Sequence, residues 1–203
     1  VGSEMCIRDR DKDITVTVYD LEGIAAWGER HTDRTVNLHF IDCKNMQRVY
    51  FTNNSNPDGK LNITLEGCSF DAAGGSNVNT AVYTNAPGEI AIRNTTFTSI
   101  AVGLNINHKS GGVQNILLEG CTFTDCALPA VSADKGTTTY GAPVRIVARE
   151  GATTHLTVNG TTFNYSNGNT NCGNGDILLG DGRHDACLLD TSPSPRDISG
   201  SRM

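Results

Sequence analysis

"LEGCSF" at 65–70 and "LEGCTF" at 118–123 are nearly the same six residues, written 53 positions apart. The match extends outward. "LNITLEGCSFD" (61–71) lies over "QNILLEGCTFTD" (114–125), with "EIAIRNTTFTS" (89–99) between them and "HLTVNGTTFNYS" (155–166) beyond. The four copies align on Phe70, Phe97, Phe123 and Phe163, which are 27, 26 and 40 residues apart. A weaker copy, "VNLHFIDCKN" (36–45), precedes them by about one period. A repeat of this length marks a unit that cannot bury its apolar face alone and must stack on its neighbours.

Within each copy the apolar residues alternate: Ile63 and Leu65, Ile90 and Ile92, Ile116 and Leu118, Leu156 and Val158. A period of two predicts a strand with one buried face. The phase then slips by three residues, and the slip holds Gly67, Asn94, Gly120 and Gly160. Glycine and asparagine tolerate left-handed backbone angles, so a bend is expected there. After it come Cys68, Thr95, Cys121 and Thr161, then the phenylalanines. Leu38, Phe40 and Cys43 fit the same columns, with Asn45 in the phenylalanine place. A second strand is expected at "VYFTN" (49–53), "AVYTN" (81–85), "AVGLN" (101–105), "PVRIVAR" (143–149) and "GDILLGDG" (175–182). Residues 11–33 form one more unit in this reading, with Ile14, Val16 and Val18 alternating and "GIAAW" (23–27) following. The connections are rich in the turn formers Gly, Asn, Ser and Asp.

With several short strands per period and no stretch of helical periodicity, the chain is expected to coil. Successive copies would stack as parallel strands about 4.8 Å apart. Phe70, Phe97, Phe123 and Phe163 would form an inward ladder, each ring pair adding ~1 kcal/mol beyond burial. Cys68, Thr95, Cys121 and Thr161 would form a second ladder beside it.

These residues resemble the right-handed parallel β-helix proteins, the superfamily that includes pectate lyases. "NITLEGCSF" (62–70) and "NILLEGCTF" (115–123) are similar to the repeat of bacterial surface β-helix proteins. The resemblance covers roughly 34–182. It implies an all-β, right-handed parallel β-helix solenoid of about five to six coils, truncated at both ends. The ends carry a different resemblance. "VGSEMCIRDR" (1–10) is similar to a translated transposase-type sequencing adapter, and "CLLDTSPSPRD" (187–197) to its reverse complement, with Asp190 where the adapter gives Tyr. The expected organisation is therefore adapter-derived tails at 1–10 and 187–203 around a β-helix fragment at 11–186. Five cysteines lie inside that fragment: Cys43, Cys68, Cys121, Cys126 and Cys172. Their odd number and irregular spacing suit neither a disulfide framework nor a zinc site.

The net charge is −6 at pH 7. The two ends contribute four basic and four acidic residues, leaving 12 Lys and Arg against 18 Asp and Glu. With no basic run, a nucleic-acid partner is not expected. No apolar run reaches the length of a membrane span.

In enzymes of the resembled superfamily, outward acidic clusters bind calcium or act as acid and base. The outward positions here read Thr64, Glu66 and Ser69; Ala91, Arg93 and Thr96; Leu117, Glu119 and Thr122; Thr157, Asn159 and Thr162. Only Glu66 and Glu119 are weak catalytic candidates. Two rungs separate them, about 9–10 Å, close to the ~6.5–9.5 Å between the carboxylates of inverting glycosidases. Arg93 lies between them and favours their ionised forms, whereas a general acid must hold its proton. Asp176 and Asp181, in a glycine-rich stretch, are weak calcium candidates, but their spacing matches no EF-hand. The five histidines, His31, His39, His108, His155 and His184, are scattered. Trp27 and Tyr83 are candidates for a sugar platform.

The sequence thus leads to a non-catalytic β-helix segment of a secreted or cell-surface bacterial protein. It would serve as a rigid scaffold or as an adhesion surface for extracellular polysaccharide or a cell-surface glycan. No cofactor and no metal are called for. The alternative is a fragment of a polysaccharide lyase or glycoside hydrolase of the pectate-lyase-like fold.

Overall fold

The computed structural model describes residues 13–30, 34–53, 59–71, 80–108, 111–126, 142–149, 151–165 and 176–180. Both expected tails, 1–10 and 187–203, lie outside these residues, as do His31, His184, Cys172 and Asp181. Among the described residues the protein is all-β, with no helix.

The strands form three parallel sheets. The first contains β1 (Ile14–Tyr19), β3 (Val36–Ile41), β5 (Leu61–Glu66), β8 (Gly88–Arg93), β11 (Gly112–Glu119) and β14 (Ala152–Asn159), in that spatial order. The second contains β2 (Ala25–Arg30), β4 (Arg48–Asn53), β7 (Thr80–Thr84), β10 (Val102–His108), β13 (Val144–Ala148) and β16 (Ile177–Gly180). The third is short: β6 (Ser69–Asp71), β9 (Thr96–Thr98), β12 (Thr122–Thr124) and β15 (Thr162–Asn164). Strands β1 to β4 alternate between the first and second sheets, and from β5 onward the chain visits all three in rotation. On each return it pairs with the strand it laid down one circuit before.

Register in the first sheet follows the sequence repeat. Val16, Leu38, Ile63, Ile90, Ile116 and Leu156 make one inward column; Val18, Phe40, Leu65, Ile92, Leu118 and Val158 make the next. Like residues recur because each packs on its register partner in one shared core. Burial is nearly complete in the middle of the stack and falls at its two ends, where Val158 is 37% exposed.

The bend after the first sheet is a column of left-handed residues: Asp20, Asp42, Gly67, Asn94, Gly120 and Gly160, with φ of 51°, 55°, 62°, 48°, 60° and 57°. Asp or Asn alternates with Gly from Asp42 to Gly120 for a steric reason. The Asp42 side chain occupies the place a Cβ on Gly67 would take, and the Asn94 side chain does the same above Gly120. One residue on, the Cys and Thr column serves the bend chemically. Cys68 and Cys121 each donate their thiol to the carbonyl two residues back, at 3.4 and 3.6 Å, and Thr95 donates its hydroxyl to Arg93 O at 2.9 Å. Each of these carbonyls also accepts a backbone N–H from the adjacent circuit, Asp42 to Glu66 at 2.8 Å, Gly67 to Arg93 at 3.1 Å and Asn94 to Glu119 at 2.9 Å, so the small side chain adds a second, weaker donor at the bend.

Phe70, Phe97 and Phe123 are fully buried and face-stacked, with centroids 5.1 and 4.6 Å apart and planes within 5°. Phe163 continues the stack at 5.1 Å. The residue below Phe70 is Met46, not Asn45. Met46 pairs with Phe70 and is 1% exposed, whereas Asn45 is exposed with φ 50°. Asn45 N–H bonds Ser69 Oγ at 3.0 Å, so the backbone takes a left-handed step there that delivers the next side chain inward. An unbranched methionine fills the space under the last ring.

Candidate functional site

Two outward faces carry chemistry. On the first sheet, Glu66, Arg93 and Glu119 are register partners. They do not form an even ladder. Arg93 Nε meets Glu119 Oε2 at 3.0 Å, while Glu66 Oε1 accepts from the Asn94 amide at 3.5 Å. The column continues as Ile41 and Tyr19 on one side and Asn159 on the other, with no third carboxylate. Beside it runs a column of hydrogen-bonded polar side chains. Asn37 donates to Thr15 at 3.2 Å, Asn62 to Asn37 at 2.8 Å, and Asn115 to Glu89 at 2.7 Å. Glu89 N–H bonds Asn62 Oδ1 at 2.9 Å. These groups satisfy one another along the stack, which leaves no acid poised opposite a base. His39 and His155 lie on this outward face, in separate columns.

Asp176 is exposed and accepts a hydrogen bond from the Tyr165 hydroxyl at 2.7 Å. Among the described residues no group of three His, Cys, Asp or Glu side chains is arranged to hold a metal.

The second sheet presents a different surface. Trp27, Tyr50 and Tyr83 are consecutive register partners on β2, β4 and β7. Asn105 and Arg145 follow on β10 and β13. Tyr50 and Tyr83 stack with centroids 4.5 Å apart and planes 13° apart. Each ring covers one face of the other. Trp27 belongs to no ring stack among the described residues and is 59% exposed. An indole held open on a strand that pairs along its whole length with β4 is unlike a core tryptophan. Arg145 Nη1 donates to Asn105 Oδ1 at 3.1 Å, and both residues are buried. Burial pushes the Tyr83 hydroxyl above its ordinary range. The neighbouring Tyr50 adds to the rise, and Asn107, Arg145 and Arg149 oppose it. Tyr83 therefore stays a neutral hydroxyl, able to donate and accept.

The sequence singled out Trp27 and Tyr83 but not Tyr50, Asn105 or Arg145, which share their column. The signal that links them is pairing register, which irregular connections between the sheets conceal. Comparison of the chain with protein-family models, curated proteins and solved structures finds no match in any of the three.

Proposed function

We propose that this chain is a segment of right-handed parallel β-helix from a secreted or cell-surface bacterial protein. In this reading it is non-catalytic. It acts as a rigid support whose second sheet presents a surface for extracellular polysaccharide or a cell-surface glycan. The observation that carries the reading is Trp27, an exposed indole fixed in register with the stacked Tyr50 and Tyr83. An indole face stacks on the apolar face of a sugar ring, and the adjoining tyrosine hydroxyls supply the few polar contacts that orient it.

The alternative, a polysaccharide lyase or glycoside hydrolase fragment, places its chemistry at Glu66 and Glu119. The ion pair between Arg93 and Glu119 argues against it. Arg93 takes up Glu119 Oε2 at 3.0 Å and the Asn94 amide takes up Glu66 Oε1 at 3.5 Å, so the two carboxylates are engaged along the stack rather than facing each other across a bound sugar. The test is incubation with a panel of acidic and neutral polysaccharides, scoring retention on the polysaccharide and release of new chain ends. Retention without new ends supports the reading. Cleavage that Glu66→Gln or Glu119→Gln abolishes, in a protein that still folds, overturns it.

A further inference from the structure

We propose that His108 is an acid-sensitive latch between the second and first sheets, and that its protonation releases the end of β10 from β14. His108 ends β10, and only residues 109–111 separate it from Gly112. It is 0% exposed and continues the inward column of Leu104 and Ile106. Its register partner on β13 is Ala148, and it lies two residues beyond the Ile106–Thr84 pair, level with Ala86. Alanines on both sides leave room for the ring.

The ring ties one sheet to the other. Nδ1 is 3.2 Å from Thr154 Oγ1 on β14, while the His108 carbonyl accepts the Arg149 N–H at 3.0 Å. Thr154 in turn is the register partner of Gln114, whose amide donates to Ala86 O at 2.7 Å. His108 Nε2 makes no hydrogen bond, and Gln114 Oε1, also without one, does not supply it. This corner suits a neutral imidazole, whose Nδ1–H can meet Thr154 while the unpartnered Nε2 stays a bare acceptor. An imidazolium donates at both nitrogens and carries a charge into an interior where leaving it unpaired is costly.

Among the described residues of the neighbouring strands no charged side chain offsets that cost; on β8, Glu89 and Arg93 lie on the outward face. On β13 the ionisable residue is Arg145, on the outward face; on β14 it is His155, outward and exposed. On β11 it is Glu119, at the far end of the strand; on β7, Tyr83 points outward. Arg149 is exposed. The Gly111 carbonyl favours the charged ring, but burial outweighs it and holds His108 below the ordinary histidine range. The released ring returns to about 6.5. The latch is therefore intact above about pH 6.5 and is lost as pH falls below it, because the open form binds the proton that the closed form refuses.

Hydrogen exchange on the full chain at roughly pH 7.5 and roughly pH 5 tests this, after correction for intrinsic exchange chemistry. The opening constant should rise by up to about tenfold per pH unit below ~6.5. The rise should be confined to amides in 104–118 and 146–156, leaving β3 and β5 unchanged. His108→Gln keeps a polar partner for Thr154 but cannot be protonated, so it should abolish the pH response. A response that persists in His108→Gln, or that spreads evenly over all strands, overturns the proposal. Should that variant fail to fold, an NMR titration of His108 in the unmodified protein decides. Titration below about 6.5 supports the latch, and titration at or above it refutes it.

Discussion

Replacing Phe97 with alanine removes the middle ring of the buried stack. Phe97 is 0% exposed and contacts Phe70 at 5.1 Å and Phe123 at 4.6 Å. Truncating a buried phenylalanine costs about 3–5 kcal/mol through lost transfer energy and the cavity left behind. Two near-parallel ring contacts, each worth about 0.5–1.5 kcal/mol, place this site in the upper half of that range. Strands on both sides resist collapse into the hole, because the pairing of β9 with β6 and β12 fixes their separation. Phe163 is the internal comparison. It is half-buried and stacks on one ring only, so Phe163→Ala should cost about 2 kcal/mol or less. Urea titration followed by far-UV circular dichroism measures both. A Phe97→Ala cost below about 1 kcal/mol, or a Phe163→Ala cost equal to it, refutes the reasoning, since core phenylalanine truncations do not behave so.

Gly103 lies against the same stack, where a Cβ would fall 2.5 Å from the Phe123 ring. Gly103→Ala should destabilise by about 1–3 kcal/mol. A double-mutant cycle with Phe123→Ala should show the two changes coupled rather than additive. At the left-handed bend, Asn94→Ala should cost about 1 kcal/mol and Asn94→Gly much less, read by thermal denaturation. Burial raises the Cys68 and Cys121 thiols above their ordinary range, so both should resist a thiol reagent near pH 8 until the protein is unfolded. Glu119→Gln loses a half-exposed ion pair, and the change in stability should stay below about 1 kcal/mol and shrink in salt.

The first and third sheets are legible in the sequence because the path from strand through bend to phenylalanine has a fixed length. Leu65 to Phe70, Ile92 to Phe97 and Leu118 to Phe123 each span five positions, so like residues align and register follows. The earliest copy breaks this rule by one residue, and Met46 occupies the place that alignment gives to Asn45. The second sheet is hidden because the segments leading into it vary, as at 72–79 and 127–141. Val49 pairs with Val82, and Val82 with Leu104, so the like-lettered stretches "VYFTN", "AVYTN" and "AVGLN" are not aligned end to end. The same variation separates Trp27, Tyr50 and Tyr83 by unequal intervals and masks their column. Arg93 between two glutamates reads as an even ladder in sequence. Asn94, one position on and at the bend, takes up Glu66 and leaves the arginine to Glu119. His108 repeats on neither adjacent circuit, where its level is filled by Ala86 and Ala148.

Glycan binding by the Trp27 face tests the central claim most directly. Isothermal titration of the intact chain and of Trp27→Ala against the same soluble oligosaccharides, with end-group analysis of the recovered sugar, separates every reading. The account predicts measurable binding to at least one glycan and at least a tenfold loss in Trp27→Ala, about 1.4 kcal/mol, with the sugar recovered uncut. Binding that is indifferent to Trp27, no binding to any glycan, or recovery of cleaved sugar would contradict it.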